Sequence, residues 1–164
     1  MSGRHKHNEV NDTLVSRAML CKSVEEILTR VHLDREHDIP YLAGYSVDRK
    51  KIYIDRHLEK NFIDHRGQCH EVDKFLILHE ATEKAMIDCW GLHYQHAHQI
   101  ALRAEEAAVR AAGIEWHDYD HFMQQWIKRA DSDKVTRVPI NLDLTPYLDE
   151  NDIELIKAMQ RAMR

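Results

Sequence analysis

The sequence predicts an α+β protein, mostly helical with one small sheet, and three observations carry that expectation. Apolar residues recur with a helical period over most of the chain. Strict two-residue alternation occurs in one stretch only, residues 41–58. With 5 Gly and 3 Pro in 164 residues, there are too few turn formers for a loop-rich sandwich. A chain of this length is expected to form a single domain over residues 1–164. The first 12 residues are polar and read as a flexible end.

Taken in order, residues 13–33 read as a helix, and Ser23-x-x-Glu26 is a capping box that would restart it. Pro40 ends what precedes it. In YLAGYSVDRKKIYIDRHL, Tyr45 and Val47 alternate before a polar turn at Asp48–Lys50, and Ile52 and Ile54 alternate after it, as in a hairpin. Residues 61–70 are polar and read as a loop. A long helix runs from Glu71 to Trp90, with Gly91 as its left-handed stop. Another runs from about Tyr94 to Ala112, before Gly113. A third, capped by Asp118 or Asp120, reaches Ala130. Residues 133–147 carry Pro139 and Pro146 and read as extended, and a last helix spans Glu150 to Met163.

Composition excludes several classes of function. Lys plus Arg number 23 against 28 Asp plus Glu, a formal charge of −5, so no basic footprint for nucleic acid exists. The longest purely apolar run, Phe75–Leu78, is far too short to span a membrane. No apolar segment follows the polar start as in a secretory signal, and the three cysteines are scattered. Reduced thiols and a cytoplasmic location are therefore expected. Histidine is the outlier: 13 of 164 residues make its placement the informative question.

On a helical wheel, Val72, Phe75, Leu76, Met86 and Trp90 form one apolar stripe, and His79 and Glu83 fall inside it, one turn apart. Glu80 lies on its margin, and Asp73, Lys74, Lys84 and Asp88 lie on the opposite, solvent side. A carboxylate on a buried stripe is costly unless paired, protonated or bound to metal. A His79–Glu83 hydrogen bond, or an arginine from elsewhere, would also satisfy it. The inward face of the next helix comprises Tyr94, Ala97, His98, Ala101, Ala104, Glu105, Ala108 and Ala112. Two consecutive helices thus each bring a histidine and a glutamate to an apolar face, which one shared site explains better than independent core histidines. Two imidazoles and a carboxylate are a catalytic zinc set.

The segment LILHEATEKAM, with His79-Glu80-x-x-Glu83, resembles the active-site helix of zincin metallopeptidases, whose usual motif is H-E-x-x-H. Gluzincins take their third ligand, a glutamate, from the following helix. Here the two are exchanged: Glu83 stands at the second ligand position and His98, with fourteen residues intervening, supplies the histidine. The resemblance covers a zincin-like core of about residues 40–112, leaving 113–164 as a helical extension. It implies zinc, with iron(II) also compatible, held by His79, Glu83 and His98. It also implies Glu80 as general base toward metal-activated water, in a peptidase acting on a peptide or protein. Glu105 would then be a partner of a histidine ligand or a fourth ligand. Tyr94 or His57 would donate to the oxyanion, and the strand Ile52–His57 would offer a free edge to an extended substrate. A carboxylate in place of the second histidine softens the Lewis acidity of the metal. An inactive zincin-like interaction module, or a metal-free helical domain with a buried His/Glu network, are the rival readings.

Other histidines carry less weight. His93 and His96 cannot share one face with His98, and RHKH (His5, His7) lies in the polar start. Cys69-His70 with His65 is too compact for a zinc set. Trp116-His117-x-Tyr119-x-His121 reads as packing at a helix start.

Overall fold

The computed structural model describes residues 9–130 and 134–164, with side chains from Arg17 onward. In chain order the elements are α1 (Glu9–Leu28), β1 (His32–Asp34), β2 (Ala43–Tyr45), β3 (Lys51–Ile54), β4 (Asn61–Ile63) and β5 (Cys69–Glu71). They are followed by α2 (Asp73–Trp90), α3 (Tyr94–Ala111), α4 (Trp116–Ala130), α5 (Thr145–Asp149) and α6 (Ile153–Ala162). This is the α+β class expected. The reading of residues 1–12 falls largely outside the described residues, although α1 already runs from Glu9 and passes through Ser23 without restarting.

The helix expected to reach residue 33 stops at Leu28. Thr29 closes it by donating its hydroxyl to the Glu26 carbonyl at 2.7 Å. His32–Asp34 then pairs in parallel with β3, while β2 pairs with β3 antiparallel, giving the order β1-β3-β2. Of the expected hairpin, β3 is therefore the central strand, and β2 forms the sheet edge. The expected loop 61–70 is a second hairpin, β4–β5. Its turn is organised by Asp64, whose carboxylate accepts from the Arg66 and Gln68 amides and from His70 Nε2, each at 2.9 Å. An aspartate-built turn of this kind gives no hydrophobic alternation to read. Within the stretch expected to be extended, Pro146 starts the short α5.

Among the described residues, two apolar clusters form the interior. The larger joins the sheet and the α1–α4 helices through residues such as Ile52, Ile54, Phe75, Val109 and Tyr119. The smaller gathers Ile39, Tyr53, Val138, Tyr147 and Met159 beneath α5 and α6. Helices α2 and α3 are joined across Gly91, whose φ of 65° supplies the left-handed cap. Ala97 and Ala101 on α3 are fully buried, and so small a side chain lets the two helix backbones approach closely.

The wheel misplaces three groups on α2. Trp90 is 75% exposed, and among the described residues neither apolar cluster includes a member of the last turn of the helix. Asp73 and Lys84, expected to be solvated, are buried. Arg35 covers Asp73 at 3.2 Å, and Asp143 covers Lys84 at 2.6 Å. Both covering residues come from loops that fold over the face a wheel assigns to water.

Candidate metal centre

Three donor atoms converge between α2 and α3. His79 and Glu83 leave α2 one turn apart, and His98 reaches them from the first turns of α3. His79 Nε2 lies 3.2 Å from His98 Nδ1 and 3.4 Å from Glu83 Oε2, and His98 Nδ1 lies 2.9 Å from the same oxygen. Four ligands at zinc–nitrogen and zinc–oxygen bond lengths sit about 3.3 Å from one another in a tetrahedron. The three separations therefore match one face of such a polyhedron. Among the described residues no other group of three or more His, Cys, Asp or Glu brings its ligand atoms within 4.8 Å of one another.

Two of the three ligands are held by a further hydrogen bond. Glu105, two turns along α3 from His98, takes His79 Nδ1 at 2.7 Å, which leaves Nε2 as the ligand nitrogen. Its other oxygen accepts from the Tyr119 hydroxyl of α4 at 2.5 Å. Glu105 is thus a partner of a histidine ligand and not part of the converging set. Tyr45, on β2, donates to Glu83 Oε1 at 3.0 Å, so Oε2 remains turned to the histidines. Lys84 stands 5.0 Å over the Tyr45 ring, fixed by Asp143 at 2.6 Å and Asp88 at 3.3 Å.

The electrostatics follow from this packing. Burial opposes ionisation of Glu83, but hydrogen bonds from His79 and His98 outweigh it and hold the carboxylate below its usual range. Burial also disfavours a charged His79, yet Glu105 and Glu83 together raise its pKa well above the usual value. Burial and then the Glu83 charge push the Tyr45 hydroxyl up, so it stays a donor. Glu80 behaves differently. It is 6% exposed and has no hydrogen-bond partner among the described residues. Burial first, then the neighbouring Glu83 charge, raises its pKa well above the usual carboxylate range.

The group opens on a cavity of about 340 Å³, whose walls include Leu76, Trp116, Met123, Ile127 and Tyr147. Tyr94 lines it, its ring 5.4 Å from that of His98. His57 does not: it is half-exposed, 3.3 Å from Asp38, and lines a separate cavity. The strand expected to border the site, Ile52–His57, is likewise displaced, since β3 is central. The bordering strand is β2, whose Ala43 and Gly44 form the cavity wall. Ser46 N donates to Lys51 O and Asp55 N to Leu42 O, so alternate residues from 42 to 46 face β3, and Ala43 and Tyr45 face outward. Asp143 N covers the Tyr45 carbonyl at 2.9 Å, leaving the Ala43 N–H and C=O without a backbone partner among the described residues. The covering loop approaches closely at Gly44, where a Cβ would lie 3.0 Å from a Leu142 side-chain methyl and would make that side chain shift.

His93 caps α3 and lies 3.7 Å from Asp149, and His96 is exposed, so neither joins His98. His70 is tied to Asp64 and Cys69 is exposed. His5 and His7 lie outside the described residues. Sequence reasoning missed Tyr45, Tyr119 and the Lys84–Asp143 pair. The alternation that puts Tyr45 on a strand face was a usable signal for it; nothing local marks the others. No described helix is long and apolar enough to cross a membrane. No family model, no curated protein and no solved structure matches the chain.

Proposed function

We propose that this chain is a zincin-like metallohydrolase that binds one zinc or iron(II) ion through His79, Glu83 and His98 and cleaves a peptide bond. The observation that carries the reading is Glu80. Its side chain is buried, has no hydrogen-bond partner among the described residues, and lines the cavity beside the ligand set. The donor set fits the ion in kind and in spacing. A bound zinc would supply Lewis-acid polarisation of a carbonyl and acidification of water. The side chains then have separable tasks. Glu80, ionised once a bound cation offsets the Glu83 charge, would take a proton from the attacking water and return it to the leaving amine. Glu105 holds His79 in one tautomer, and Tyr45 orients Glu83. Tyr94 is the oxyanion donor that lines the cavity, and Ala43 pairs with the substrate backbone.

A second reading has its own support. The same 2.7–3.4 Å separations are hydrogen-bond distances, so the cluster would also hold together as a metal-free network. Elemental analysis of untagged protein separates the two. The metallohydrolase reading expects close to one equivalent of divalent metal, lost in His79→Ala and His98→Ala; full metal in both variants sinks the ligand assignment. A peptide library tests turnover. If neither the wild type nor Glu83→His, which restores the usual motif, cleaves any member, the peptidase activity is abandoned.

A further inference from the structure

We propose that the outer face of α4 carries a second, weaker metal site, in which His117 and His121 chelate one divalent transition-metal ion. The two residues stand one helical turn apart, the spacing at which side chains meet. Their rings are within 3° of parallel, with centroids 6.2 Å apart. The His117 side chain is 91% exposed, so it is free to rotate toward its neighbour at little cost. Two nitrogens sharing an ion at its usual bond length must come to about 3 Å from one another, which such rotations supply.

The surroundings leave this pair available. The Asp118 carboxylate is 3.9 Å from His117 Nδ1 and is engaged instead by His65, at 2.5 Å from its Nδ1 and 3.2 Å from its amide. Among the described residues His121 Nε2 hydrogen-bonds only the neutral Gln125 amide nitrogen, at 3.1 Å, a solvent-exposed contact that an ion would displace. Both imidazoles line a surface cavity of about 400 Å³ with His65 and Glu59. His65 does not converge with the pair, since the one described three-ligand group is the central one. A two-imidazole site with its remaining positions open to water suits Ni²⁺, Cu²⁺ or Zn²⁺ and discriminates against Mg²⁺ and Ca²⁺. No residue is shared with the central cluster, so the inference stands apart from the proposed function.

The test is calorimetric titration of Ni²⁺ into the full chain, untagged and stripped of metal, with His5→Ala and His7→Ala in every sample because the N-terminal RHKH also offers imidazoles. His117→Ala and His121→Ala should each weaken one class of binding about 100-fold, since a single imidazole loses the effective concentration of its partner. Alanine on an exposed helical face favours the helix, so folding is preserved, and circular dichroism verifies it. His79→Ala should leave this class intact. Binding that persists at wild-type strength in the His117→Ala/His121→Ala double variant overturns the site, as does wild-type Ni²⁺ binding that His79→Ala removes entirely. Failure of the central centre looks different, because this class then remains as the only binding seen.

Discussion

Glu80 and Tyr45 are residues whose surroundings predict opposite costs. Glu80 is buried without a hydrogen bond among the described residues, and burial and the neighbouring Glu83 charge both disfavour its ionised form. Glu80→Gln should therefore leave the melting temperature unchanged or raise it. Under the proposed chemistry it should lower hydrolysis by roughly 100-fold or more while metal content stays constant. A stability loss with no change in any activity would reduce Glu80 to a packing residue. Tyr45→Phe keeps the ring but removes the donor to Glu83, leaving a buried acceptor short of one partner. The expected loss is about 1–2 kcal/mol of stability in denaturant titration. Metal should bind roughly tenfold more weakly, as for other groups that orient a ligand.

Among elements, the strap at 141–143 matters most, because it covers the edge of β2 and meets α2 through one buried ion pair. Lys84 Nζ lies 2.6 Å from Asp143, and burial opposes the Asp143 charge while Lys84 holds its pKa down. Removing the cation leaves a buried carboxylate unpaired. Lys84→Met should thus cost about 3 kcal/mol, which Asp143→Asn in the same chain should partly restore. If the single variant unfolds at the wild-type denaturant midpoint, the strap is held by Leu142 packing and not by charge.

Two couplings belong to the whole molecule. An ion bound at His79, Glu83 and His98 would tie α2 to α3, so a chelator should lower the melting temperature by roughly 5–10 °C at saturating metal, and His79→Ala should abolish that difference. The second coupling is to acid. Burial disfavours the Asp38 charge, but the Thr136 and Arg137 amides, the Thr136 hydroxyl and Arg56 all donate to it and bring its pKa from 3.8 to about 2. A value depressed on folding means stabilisation that is complete above about pH 4 and is lost as pH falls toward about 2. Asp38→Asn should flatten the acid limb of the stability curve in that window; an unchanged limb assigns acid sensitivity to other carboxylates.

The sequence by itself determined the long helices and the ligand inventory, because both depend on near neighbours along the chain. A 3.6-residue period put His79 beside Glu83, and the alanine face of α3 put His98 and Glu105 on one side, as the packed helices have them. Gly91 announced the turn between them through its φ. What only the tertiary structure decided were matters of long-range pairing. His32–Asp34 joins the sheet because β3 is there to bond with it, and that partner made β3 central and β2 the cavity wall. Lys84 is buried because Asp143, fifty-nine residues away, covers it, and His57 lies apart from the cavity because it follows the central strand and not the bordering one. Helical periodicity records which face leaves the axis together. It carries no information on which loop returns to cover the opposite face, since that contact is set by the packing of segments far apart in the chain.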